Sequence, residues 1–142
     1  MDVATQSYFQ GVWQMVRIIE DVPDGVIGEF WGDAVFSPDG EGLSCREAGV
    51  LRFRGSDYHA ERTSLWRFPD NRVEVRYADG REFHDFDPSE PEATHLCEPD
   101  RYEVAYDFEA THFISRWQVK GPQKNYLMTT VYRRAPGTGG GA

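Results

Sequence analysis

Along most of this chain apolar and aromatic side chains return at every second position, and each run ends in a cluster of Gly, Pro, Asp or Asn. That spacing lines one face of an extended strand, whereas a helix needs a return every three to four residues. Residues 29–36 carry Phe30, Gly32, Ala34 and Phe36 on one parity, and residues 43–54 carry Leu43, Cys45, Glu47, Gly49, Leu51 and Phe53. Residues 57–68 carry Tyr58, Ala60, Arg62, Ser64, Trp66 and Phe68 in the same way. Further strands are predicted over 9–19, 73–77, 82–86, 94–97, 102–108, 112–119 and 126–133. Turns fall at 21–25, 37–40 and 69–71, at Gly121-Pro122, and at Asp79-Gly80, where a tight hairpin needs φ > 0. The acidic stretch Asp85, Asp87, Glu90 and Glu92, with two prolines, reads as a solvated loop. The one helical candidate is a short turn before Tyr8, capped by Asp2 or Ser7.

Many short strands at regular spacing specify an all-β fold, here a single antiparallel β-barrel of about 8–10 strands. A barrel is preferred to a sandwich because Val12 and Trp13, Leu65 and Trp66, and Phe113 and Ile114 put apolar groups on both parities. Arg17 also shares the parity of Trp13 and Met15, and Arg62 that of Tyr58 and Trp66. Charges are rarely buried without partners, so these arginines pair with Glu47, close a barrel end, or serve a pocket. Residues 1–134 are expected to form the barrel domain, and residues 135–142, rich in glycine, a flexible tail.

Length and charge narrow the function classes. A chain of 142 residues holds one ordinary domain. Its net charge of −9 opposes nucleic acids and anionic membranes, which are bound through clustered Lys and Arg. No apolar run is long enough to span a bilayer, and the N-terminus lacks the basic start and apolar core of a signal peptide. With two cysteines, Cys45 and Cys97, read as reduced thiols, the expected location is the cytoplasm.

Gly11-Val12-Trp13 on the first strand and Arg133-Arg134 ending the last resemble the calycin pattern of lipocalins and related barrels. That resemblance implies that the tryptophan packs on a terminal arginine and closes one barrel end. Residues 8–134 also resemble a family of short, mainly bacterial proteins defined only as a domain of unknown function. The resemblance is carried by Phe9-x-Gly11-x-Trp13, Gly42-Leu43, Glu47-x-Gly49-x-Leu51, Arg62, Trp66 and Asp79-Gly80-Arg81-x-Phe83-His84. His95-x-Cys97-x-Pro99-Asp100-x-Tyr102, Gly121-Pro122-x-Lys124-x-Tyr126 and Tyr132-x-Arg134 complete it. It implies a calycin-like barrel. Calycins include carriers, haem-binding proteins, bilin lyases and a decarboxylase, so function is argued from residues.

Two functions compete on those residues. The first is a carrier or sensor of a small anionic, aromatic or amphipathic metabolite. Arg17, Arg62, Arg81 and Lys124 would supply charge, His95 orientation, and Trp66 and Trp117 ring surface, with Trp13 and Trp31 as further cavity walls. The second is a cofactor-free isomerase, cyclase or lyase, with His84 as the base and Tyr102 or Tyr126 donating to a developing oxyanion. A metal site from His84, His95, Cys97 and His112 lacks the tight ligand spacing of zinc sites, so neither metal nor other cofactor is expected. The sequence sets no oligomeric state.

Overall fold

The computed structural model describes residues 3–136, so the glycines expected to form a tail lie, from residue 137 on, outside the described residues. Among the described residues a short helix, α1 (Gln6–Phe9), precedes ten strands. These are β1 (Gly11–Asp21), β2 (Gly25–Asp39), β3 (Gly42–Phe53), β4 (Ser56–Arg67), β5 (Val73–Tyr77), β6 (Glu82–Phe86), β7 (Glu92–Cys97), β8 (Asp100–Phe108), β9 (His112–Gly121) and β10 (Lys124–Arg134). All pairs are antiparallel, in the order β6-β5-β4-β3-β2-β1-β10-β9-β8-β7. The sheet curls into a nearly closed barrel in which β6 and β7 lie side by side without a ladder between them. Side chains close that seam instead: Phe83 meets His95 with ring centroids 5.3 Å apart, and His84 bonds Tyr106.

Three local expectations are corrected. Thr5 caps α1, its hydroxyl accepting from the Tyr8 N–H at 3.2 Å, while Ser7 lies inside the helix and Asp2 outside the described residues. The turn at 37–40 shrinks, because Ser37 and Pro38 still pair with Ser44 and Leu43 and β2 runs to Asp39. A proline near a strand end forfeits little, since few ladder bonds remain there. The loop expected over 87–92 also shortens, since β7 starts at Glu92 rather than Thr94, while β6 ends at Phe86 as expected.

Inward-facing side chains fill one end of the barrel with rings. Phe9 from α1 plugs it, with centroids 5.4 Å from Phe36, 4.9 Å from Trp66 and 5.4 Å from Phe113. Burying each such ring contributes about 1.5–3 kcal/mol. Trp13 lies fully buried beside them, with the Arg134 guanidinium 4.3 Å from its ring centroid. Arg134 also donates through Nη2 to the Tyr8 carbonyl at 2.6 Å, tying the last strand to the plug. The closure expected of the Gly-x-Trp and terminal arginine pair is thus present, and the fold is a calycin-like antiparallel barrel.

The opposite end is open. Along β4 the inward parity passes from buried Trp66 through half-buried Ser64 to Arg62, whose side chain is 55% exposed, and then to exposed Tyr58. Gly32 and Gly49 face each other across β2 and β3, where a Cβ on either would fall 2.1 Å from a backbone oxygen of the neighbouring strand. Only glycine allows so close an approach, which helps the sheet curl. Trp31 faces outward at 40% exposure between Val16 and Val50 of the flanking strands, so it does not face the barrel interior.

Candidate ligand-binding site in the barrel interior

Above the aromatic plug the inward parities of β1, β3, β4 and β10 converge on polar groups. Glu47 is their hub. Its carboxylate accepts from Arg17 Nη2 at 3.2 Å, Arg62 Nη2 at 3.1 Å and the Tyr132 hydroxyl at 2.8 Å. Arg17 also donates through Nε to Thr130 Oγ1 at 2.8 Å. Burial would raise the Glu47 pKa, but Arg62 and Arg17, with the Tyr132 bond, outweigh it and hold the carboxyl below its usual range. Burial pushes the Tyr132 phenol well up, so it stays a neutral donor. The pairing of both arginines with Glu47 is therefore real, yet it does not exhaust Arg62. Its bond to Glu47 is the one hydrogen bond it makes among the described residues, and its remaining donors are free. Two guanidinium groups against one carboxylate leave this layer with one net positive charge.

Beside this layer lies a cavity with about 60 Å³ of room for water-sized occupants, lined by Arg62, Trp66, Phe83, His84, Tyr106 and Trp117 among others. One water needs roughly 10–15 Å³ on that measure, so the space suits the head of a small ligand. A β-bulge shapes it: Val75 pairs with His84 but Arg76 with Glu82, leaving Phe83 as the extra residue. Two successive side chains thereby reach the cavity where strict alternation allows one. Phe83 stacks on Trp117 (5.0 Å, 5°) and on Tyr77 (4.7 Å, 24°), forming a ring wall.

His84 is 8% exposed, and its Nε2 lies 2.8 Å from the Tyr106 hydroxyl. Its Nδ1 is buried without a protein partner. Burial, reinforced by Arg62, lowers its pKa from 6.5 to about 3, so the ring is neutral. Burial raises the pKa of the Tyr106 phenol.

The remaining candidates are dispersed. The phenol at His84 belongs to Tyr106; Tyr102 and Tyr126 sit half-buried nearer the open end, both in register with Val119. Arg17 is committed to Glu47, Thr130 and Tyr132. Trp66 and Trp117 line the cavity, and His95 packs on Phe83 at its edge. Arg81 lies at the β5–β6 hairpin, 74% exposed and paired with Asp79 at 2.7 Å. Lys124 pairs with Asp100 at 3.0 Å. Among the described residues no three His, Cys, Asp or Glu side chains gather as a metal site. Sequence reasoning left Tyr106, Tyr132, Thr130 and Phe83 out of the site. The tyrosines and Thr130 were within reach through their parity with Tyr102 and Arg134, whereas Phe83 depends on a bulge.

No curated protein matches the chain in sequence. Among solved structures it is similar to the S-type phycobiliprotein lyase CPES from Guillardia theta, at 10% identity and a TM-score of 0.47, over 92% of this chain and 90% of that one. A family model described as a family of unknown function (DUF6314) matches residues 9–134, and the chain belongs to that family.

Proposed function

We propose that this barrel binds a small aromatic carboxylate, as a carrier or sensor, with the charge held at Arg62 and the ring against Trp117, Phe83 and Trp66. The observation that carries this reading is Arg62 itself, half exposed beside the cavity, with donors left over after pairing with Glu47. A guanidinium in that state accepts a carboxylate in bidentate fashion, and the layer's single positive charge matches a single negative one. Apolar walls with a few convergent polar groups are the usual make-up of a ligand site. An acid–base enzyme is the less supported reading: an imidazole with a pKa near 3 is a weak base.

The test begins with native mass spectrometry of freshly purified protein, which reports any retained ligand. Calorimetric titration with 4-isopropylbenzoate then compares wild type with Arg62→Gln. A charge-assisted hydrogen bond contributes about 1.5–3 kcal/mol, so affinity should fall roughly ten- to hundredfold in the variant. Equal affinities, or no binding of aryl carboxylates to wild type, would sink the proposal.

A further inference from the structure

The hollow above the plug lies where two inward positions carry serine between larger neighbours. On β9 the inward side chains run Phe113, Ser115, Trp117, and on β4 they run Trp66, Ser64, Arg62, all six lining the cavity. Phe113 and Trp66 both touch Phe9 of the plug, with centroids 5.4 and 4.9 Å away. The serines stand one inward step farther along their strands, so they form the cavity floor.

Their hydroxyls are not equivalent. Ser64 Oγ accepts from Trp66 Nε1 at 3.0 Å. Ser115 is 2% exposed and enters no side-chain hydrogen bond among the described residues, yet the one fully sequestered side-chain atom without a partner there is His84 Nδ1. The Ser115 oxygen therefore keeps accessible surface, and the space that Ser115 lines is the cavity. Its cross-strand neighbours are already engaged. Tyr106 and Thr130 are in register with Ser115, but the Tyr106 hydroxyl bonds His84 Nε2 at 2.8 Å and Thr130 Oγ1 accepts from Arg17 Nε at 2.8 Å. A hydroxyl left without a partner in a ring-lined space lowers stability, a loss that alanine would avoid. A ligand group that both donates and accepts would satisfy it, since a serine hydroxyl has one donor and two lone pairs.

Depth orders the two polar features of the cavity, with the Arg62 side chain 55% exposed at the mouth and Ser115 at the floor. The net positive charge is matched by one anion at Arg62, so the group at the floor is neutral. We propose that Ser115 is a specificity residue of this site, its hydroxyl pairing with a hydroxyl on the ligand, so that the ligand is a hydroxyaryl carboxylate with its hydroxyl on the side away from its charge. The inference rests on the aromatic-carboxylate reading above and adds what distinguishes one such carboxylate from another.

A matched pair of probes tests it by calorimetric titration at neutral pH, where a phenol keeps its proton. 4-Hydroxybenzoate and 4-methylbenzoate have nearly the same shape. A methyl group leaves water more readily than a hydroxyl, so ring walls alone would favour the methyl compound. Wild type should instead bind 4-hydroxybenzoate about fivefold more tightly, and Ser115→Ala should reverse that order while still binding 4-methylbenzoate. Should the alanine variant fail to fold, Ser115→Cys, with its weak S–H donor, makes the same comparison. Equal affinities in wild type, or a preference for the methyl compound, would overturn the role of Ser115 and leave the carboxylate site standing. A wild-type preference that survives in the variant would also overturn it, because another group would then read the hydroxyl. Binding of neither probe would overturn both readings.

Discussion

Acid should destabilise this protein earlier than its carboxylates alone require, and the cause is His84. In the unfolded chain that imidazole takes up a proton near pH 6.5, while in the fold burial holds its pKa down to about 3. Between those values the unfolded state binds a proton that the folded state refuses, so stability rises with pH and falls on acidification. Each pH unit in the window is worth about 1.4 kcal/mol, so acidifying from 6.5 to 5 removes about 2 kcal/mol. The full window would remove about 4–5 kcal/mol, a large part of the 5–15 kcal/mol typical of a whole domain. Glu47 acts lower down: its depressed carboxyl contributes stability above its unfolded pKa of 4.5 and loses it as pH falls further. The two windows therefore separate. Urea unfolding of wild type and His84→Gln at intervals from pH 7.5 to 4.5 makes the measurement. Gln stays neutral throughout and can still accept from Tyr106. Wild type should lose about 2 kcal/mol more than the variant between pH 6.5 and 5. Parallel curves would mean that the imidazole is solvated in the fold, and the burial argument would fall with them.

Three other outcomes follow from the same geometry. Glu47→Leu strands a buried Arg17 and should cost about 3–5 kcal/mol. Arg17→Met should cost less, since Arg62 and Tyr132 still partner Glu47, and the double replacement should cost less than the sum of the two; additive losses in urea would contradict the coupling. Trp13→Ala should cost about 3–5 kcal/mol by opening a void under Arg134, and a variant that unfolds at the wild-type urea midpoint would show that this end is not a packed plug. Iodoacetamide should label the exposed Cys97 in the folded protein and reach Cys45, buried with its thiol pKa pushed up, only in denaturant; rapid labelling of both thiols in buffer would contradict the burial.

The architecture was legible because alternation and turns are local signals. Strand parity grouped Arg17 with Trp13 and Met15, and Arg62 with Trp66, and offered Glu47 as a partner of both arginines as one of the alternatives to a pocket role. The site was less legible, because convergence in a barrel depends on register and on depth along the axis, and parity carries neither. His84 and Tyr126 both have plausible chemistry, yet they sit at different depths, and Tyr106 from β8 meets the imidazole across the open seam. The bulge at Phe83 is invisible in sequence, since a single extra residue resets the faces without a distinctive composition. Arg81 and Lys124 illustrate the remaining limit. A cation near a turn finds its partner in an adjacent acidic residue, Asp79 or Asp100, before it can serve a cavity.

The charge pattern bears on what kind of ligand reaches the interior. The chain carries −9 overall, while the polar layer inside carries one net positive charge. A small anion approaching such a surface meets repulsion that salt screens over about 8–10 Å, and it gains attraction only near Arg62. Attraction at that range selects by contact and shape, because nothing at long range gathers anions indiscriminately. A highly charged ligand such as a nucleotide would meet the repulsion several times over and find one compensating charge. A monoanion with a substantial apolar body meets it once, and every ring it buries against Trp117 and Phe83 offsets the cost. The ring wall, the single spare guanidinium and the acidic exterior thus favour the same class: singly charged, flat and mostly apolar.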